Sequence, residues 1–228
     1  MFRLWCLLIG YAFGSFQTSY FVGKAKGIDI REHGSGNAGT TNTLRVLGTK
    51  AGLIVFIGDM LKAIIAVLIC KLIFSPANQE FVPLICAYSG LGCVLGHNFP
   101  FYLGFHGGKG IAVTGGTMIA FNWMYIPIGV LLFFGNLFLT HIVSIGSLLL
   151  CLCFFVMTII MGSLGVFAME SFPLYELYVI VFIISFLGFW MHRANIKRLI
   201  AGNERKTYLL KKNKMDVETN GDANTRTE

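Results

Sequence analysis

Between Lys109 and Glu170 the chain carries no Lys, Arg, Asp or Glu. An uncharged stretch of that length cannot form the surface of a water-soluble domain. One helical bilayer crossing takes about 20 apolar residues, so the stretch alone holds material for about three. The chain as a whole agrees, being 55% hydrophobic and only 13% charged, where a soluble domain carries roughly a quarter charged residues. The sequence therefore specifies an all-α integral membrane protein.

Candidate crossings fall at 4–22, 52–73, 81–97, 110–121, 123–140, 142–162 and 172–190. The N-terminal apolar run resembles a secretory signal, but it continues through Gly14, Ser15, Gln17 and Ser19 to about Gly23, which is spanning length. The fourth run is short and reads as a tilted or broken helix. Charge fixes the count. The loop 24–50 and the tail 191–228 hold most of the cations, whereas the connections 74–80 and 163–171 have none. Cations stay on the cytoplasmic side. The consistent solution is seven transmembrane helices, N-terminus outside and C-terminus cytoplasmic, with one polytopic domain over 1–210. The tail 211–228 has little to bury and is expected to be disordered.

The net charge of +7 thus sets orientation. No basic stripe interleaved with aromatics marks a nucleic-acid site. The six cysteines lie in or beside apolar runs and none forms C-x-x-C, so they read as packing residues. No metal site is expected, because His33, His97, His106, His141 and His192 lack ligand spacing.

That topology brings three polar segments to one face: Gly27–Arg45, Gly96–Gly116 and His192–Lys206. Gly34-Ser35-Gly36-Asn37 and Gly107-Gly108-Lys109-Gly110 can point successive backbone N–H groups at an anion, and each precedes a helix start whose dipole favours phosphate. The spacing is not a Walker A loop, since Gly110 stands where Ser or Thr would follow the lysine. Neither a G-x-S-x-G elbow nor H-x-x-x-x-D nor H-E-x-x-H is present. Asp59 and Lys62 share a face inside the second helix, either as functional charges or as a structural ion pair. Gly10-x-x-x-Gly14 and Gly92-x-x-x-Gly96 read as helix-packing seams.

These segments resemble the signatures of the acyl-phosphate:glycerol-3-phosphate acyltransferases, the bacterial inner-membrane PlsY family. The first resembles Gly14-Ser15, Lys26 to Arg31, Gly34 to Asn37, Thr41-Asn42 and Arg45. The second resembles Gly96-His97-Asn98-Phe99-Pro100 and Gly107 to Gly110. The third resembles His192-Arg193, Asn195-Ile196, Arg198-Leu199 and Gly202 to Lys206. The likeness runs from about 10 to 206. The chain departs from the family at Ala112-Val113, at Ala63, and at His141, which stands where an Arg often precedes the Val-Ser pair, here Val143-Ser144.

The resemblance implies acyl transfer from acyl phosphate to the 1-hydroxyl of glycerol 3-phosphate, yielding lysophosphatidate and phosphate in a bacterial inner membrane, with no cofactor. Expected partners are the two substrates, membrane lipid and the enzyme that makes acyl phosphate. An acyl phosphate already has a good leaving group, so positioning and electrostatics suffice. Ser35, Gly36, Asn37, Gly107, Gly108 and Ser144 are expected to bind phosphate, with Arg45 and Arg193 for the second phosphate. Lys109 supplies charge neutralisation, His97 or His192 removes the hydroxyl proton unless a substrate phosphate takes it, and Asn195 orients the nucleophile or donates to the oxyanion. A phosphate or organic-anion transporter is the alternative; the polar residues gathered on one face and the lack of a repeat speak against it.

Overall fold

The computed structural model describes residues 1–208; the tail expected from 211 onward lies outside them. Among the described residues every regular element is helical. Four segments are long and apolar enough to cross a membrane, Thr49–Ala77, Gln79–Leu103, Val143–Ser163 and Ser171–Met191. Two shorter apolar helical segments, Ile111–Phe121 and Tyr125–Thr140, lie between the second and third. In chain order the helices are α1 (Phe2–Ser15), α2 (Thr18–Lys24), α3 (Thr40–Leu47), α4 (Thr49–Phe74), α5 (Val82–Asn98), α6 (Ile111–Phe121) and α7 (Tyr125–Val130). A π-helical turn over Leu131–Gly135 leads into α8 (Asn136–Thr140), followed by α9 (Val143–Ser163), α10 (Ser171–Met191) and α11 (Arg193–Ile200).

Small residues let the backbones touch. Side chains added at Gly10 or Gly14 would run into the backbone of Ser89 and Cys93, and at Gly92 or Gly96 into that of Leu7 and Tyr11. The two glycine pairs therefore interlock α1 with α5, as their four-residue spacing indicates. Gly116 does the same between α6 and the Met60 backbone of α4. Tyr125, Phe154, Leu84, Ile85 and Leu177 fill the interior. Arg3 clamps Glu176 with its guanidinium (2.5 and 2.7 Å), and Tyr88 Oη donates to the same carboxylate at 2.7 Å. This staple joins α1, α5 and α10 at their ends remote from His97.

The first apolar run is not one helix. The chain turns extended at Phe16 (φ −64°, ψ 107°) and restarts as α2. Sequence reasoning over 4–22 misses the break because the groups that permit it come from elsewhere. Tyr102 Oη donates to Ser15 O (2.9 Å) and accepts Gln17 N–H (3.3 Å), and the Lys62 ammonium donates to Phe16 O (2.6 Å). Backbone groups freed inside a bundle need such partners.

Candidate active site

The three polar segments meet around a chamber of about 560 Å³ at the end of the bundle where α1 breaks. Its first wall is the α2–α3 loop and the start of α3. Asn42 braces that loop from within: its Oδ1 accepts Ser35 N–H (2.8 Å) and its Nδ2 donates to Ile30 O and His33 O (both 3.0 Å). Gly34 and Gly36 take positive φ (65° and 70°), and a Cβ on Gly34 would strike Asn42 Oδ1. Glycine is what that bracing requires. The first turn of α3 faces the chamber with Thr40, Thr41 and Asn42, whose amides have no intrahelical acceptor. Asn37 Oδ1, Thr40 Oγ1 and, from α9, Ser144 Oγ are buried chamber-lining atoms without a protein hydrogen-bond partner.

The second glycine cluster behaves otherwise than its pattern suggests. Gly107 N–H donates to Asn98 O (3.1 Å) and Gly108 N–H to His97 O (3.0 Å). Both amides cap α5 instead of facing the chamber, and neither glycine lines it. They are glycines because a side chain would meet His97 O, the Pro100 ring, the His97 ring and Ala38 O. What this loop presents is Lys109, with Gly110 and the first turn of α6 beside it.

Lys109 donates to Asn195 Oδ1 of α11. Asn195 Nδ2 donates to Glu204 Oε1 (2.7 Å), and Arg198 Nε pairs with Glu204 Oε2 (2.7 Å). Burial, with Arg198 adding, pulls the Lys109 ammonium down to about 8, against a smaller opposing effect of Glu204. Arg45 is lowered from its usual value by burial first and Arg205 next. Its Nη2 donates to Thr207 Oγ1 (2.6 Å) and Arg205 O (3.3 Å), and Thr207 N–H donates to His141 O (2.7 Å). The segment after α11 thus straps across the chamber mouth.

The two histidines expected as bases hold opposite tautomers. His192 Nδ1 bonds Gly188 O at 2.8 Å, which makes Nδ1 the protonated nitrogen and leaves Nε2 with a free lone pair. Burial first, then the Lys109 charge, pushes it down to about 4. His192 is neutral near pH 7. His97 accepts at Nδ1 from Lys62 (2.9 Å), so its Nε2 carries the proton and cannot serve as a base.

Of the residues singled out from sequence, Ser35, Asn37, Arg45, His97, Lys109, Ser144, His192 and Asn195 line the chamber, and Gly36 sits in the loop that does. Arg193 does not: its Nη1 donates to Trp190 O (3.0 Å) and its guanidinium lies over the Trp190 ring (5.2 Å). Arg198, Glu204, Arg205 and Thr207 line the chamber instead. The three-residue step from Asn195 to Arg198, one helix face, was the available signal for the first.

An apolar groove of about 130 Å³ adjoins the chamber, sharing Phe56, Ile111, Ala112, Phe133 and Phe134 with it. The π-helical turn places the last two residues; such turns recur at functional sites. A multi-pass helical protein with a cation-lined chamber running into an apolar groove is built to handle molecules with an anionic head and a hydrocarbon tail. The profile described as glycerol-3-phosphate acyltransferase matches residues 4–202. The glycerol-3-phosphate acyltransferase of Halalkalibacterium halodurans is 38% identical over 89% of this chain and 94% of its own length. That of Bacillus subtilis is 38% identical over 88% and 95%. The crystal structure of PlsY (YgiH), an integral membrane glycerol 3-phosphate acyltransferase, superposes in its glycerol 3-phosphate form with a TM-score of 0.77 at 30% identity, covering 91% of this chain and 96% of that one. Its lysophosphatidic acid form gives 0.75. The chain belongs to the glycerol-3-phosphate acyltransferase family.

Proposed function

We propose that the protein transfers a fatty acyl group from acyl phosphate to the 1-hydroxyl of glycerol 3-phosphate, giving lysophosphatidate and inorganic phosphate. The observation that carries the reading is the junction of the cation-lined chamber with the apolar groove, which offers a charged head and an acyl chain adjoining places with the reacting carbonyl between them. The solved relative's glycerol 3-phosphate and lysophosphatidic acid forms support these as substrate and product.

The chemistry needs alignment and charge. The hydroxyl oxygen bonds to the acyl carbon, the carbon–oxygen bond to phosphate breaks, and phosphate leaves with the electron pair. Ser35, Gly36, Asn37 and Ser144, with the first turn of α3, hold phosphate oxygens. Arg45 and Lys109 neutralise the two heads, and Arg45 exchanges its protein acceptors for phosphate. His192 Nε2 accepts the hydroxyl hydrogen bond and orients the attack, while Asn195 steadies Lys109. A group held near 4 is a poor final proton acceptor; a phosphate oxygen, whose second pKa is about 6, is the better one, so leaving phosphate carries the proton away.

In this reading residues 1–210 form one polytopic unit of seven crossings in a bacterial inner membrane. The N-terminus is outside and the chamber cytoplasmic, where water-soluble glycerol 3-phosphate and the enzyme supplying acyl phosphate reside. The crowding of cations into 24–50 and 191–206, both of which contribute to the chamber, supports that orientation. Purified protein given acyl phosphate, acyl-coenzyme A and acyl-carrier protein at matched chain length should transfer to glycerol 3-phosphate from acyl phosphate alone. Comparable turnover with either thioester would refute the donor assignment.

A further inference from the structure

In the chamber wall lies a buried charged cluster, reached through Asp59 and His97, that the mechanism above leaves unused. Asp59 is 1% exposed and Lys62 6%, both on α4. The Lys62 ammonium makes three bonds: to Phe16 O at the break in α1 (2.6 Å), to Asp59 Oδ1 (2.9 Å) and to His97 Nδ1 (2.9 Å). Thr18 Oγ1 donates to the same Asp59 oxygen at 3.0 Å. An ammonium has three donors and no acceptor, so every donor is committed and the histidine nitrogen facing it must accept.

That geometry settles where the imidazole proton sits. With Nδ1 accepting, Nε2 is the protonated nitrogen, because the partner of one ring nitrogen selects the state of the other. Nε2 occupies the space a Gly108 side chain would need, at the point where the two glycine loops approach each other through Ala38 O. His97 lines the chamber. Desolvating a Lys–Asp pair is costly, and an apolar replacement often folds as well. Here the pair has a specific product, a chamber-lining imidazole whose proton is fixed on Nε2.

We infer that Lys62 is a positioning residue for acyl transfer: anchored by Asp59 and Phe16 O, it holds His97 as a standing Nε2–H donor to an anionic substrate oxygen. The inference rests on the functional reading above. The oxygen belongs either to a substrate phosphate or to the oxyanion formed at the acyl carbonyl. Loss of the donor raises a substrate KM in the first case and lowers kcat in the second.

Nitrogen-15 NMR of histidine-labelled full-length protein in nanodiscs tests the tautomer without substrate, the His97 signals being assigned by their loss in His97→Gln. The expected result is a protonated Nε2 and a bare Nδ1; a protonated Nδ1 or an imidazolium overturns the inference. Kinetics tests the role. Asp59→Asn with Lys62→Met removes both charges together, and His97 then populates both tautomers while kcat, or kcat/KM for one substrate, falls about tenfold or more. Full turnover with a scrambled tautomer overturns the inference. His97→Gln keeps an amide N–H near the Nε2 position and no basic nitrogen, so it should retain about tenfold more activity than His97→Leu. Equal losses in the two would also overturn it, whether or not the double variant accumulates. Wild-type protein inactive with acyl phosphate would fail the functional reading, a failure the substrate-free NMR result separates from this one.

Discussion

Lys109 offers the sharpest test of the electrostatic argument. Among the described residues its ammonium is held by Asn195 alone of the side-chain acceptors, on a loop whose backbone is secured by the Gly107 and Gly108 amides on α5. Removing the side chain as Lys109→Ala therefore leaves the loop's own bonds intact. At an effective dielectric near 20, a unit charge about 4 Å from a phosphate oxygen or developing oxyanion contributes about 4 kcal/mol. The loss of one such stabiliser costs on the order of 10²–10³ in turnover. Lys109→Ala should accumulate in the membrane with wild-type melting behaviour and turn over acyl phosphate and glycerol 3-phosphate about 100-fold or more slowly. Lys109→Arg should also be poor, because a planar fork replaces a compact ammonium.

The same side chain sets the alkaline limit. Its pKa lies at about 8 and the charged form exists below it. The charged fraction, and kcat/KM with it, should fall about tenfold between pH 7 and pH 9. Phosphate release followed by a coupled assay across that range measures it. Lys109→Ala within tenfold of wild type, or wild-type activity flat to pH 9, would refute the claim that this ammonium neutralises the reacting head.

Other outcomes are equally specific. Gly115 lines the apolar groove and a Cβ there meets nothing within 4 Å, so Gly115→Leu should fold, fill the groove and raise KM for long-chain acyl phosphates more than for short-chain ones. Arg193→Ala should keep turnover within about twofold, whereas Arg198→Ala, which strips Glu204 of its ion-pair partner and leaves it only Asn195, should lose about tenfold or more; the reverse order would put the second phosphate back at Arg193. A cysteine at Asn78 should react with an impermeant thiol reagent in intact cells and one at Asn213 only after lysis, a result that reversed labelling would contradict.

Helices proved legible where hydrocarbon burial alone dictates them. The uncharged run and the two glycine pairs read through to apolar segments and to the α1–α5 seam because both signals are local and repetitive. The break at Phe16 was hidden, since it depends on Tyr102 and Lys62 from other elements. The Gly107-Gly108 amides were misread for a related reason. A glycine pattern reports room for a close approach but not what approaches, and here it was the end of α5 rather than an anion. Arg193 and Arg198 fall on different faces of α11, and the three-residue step from Asn195 is what marks the second as chamber-facing.

The strap that carries Thr207 bears on the order in which the site is built. Thr207 is 1% exposed, donates its amide to His141 O and receives Arg45. Ribosomes deliver a chain from its first residue onward, so every helix is synthesised before this wall. A chain truncated at the end of α11 would keep every helix and yet leave Arg45 without the acceptors that hold it. In chain order this wall follows all the helices that carry the chamber, and a cut just before residue 207 would open the site while sparing the bundle.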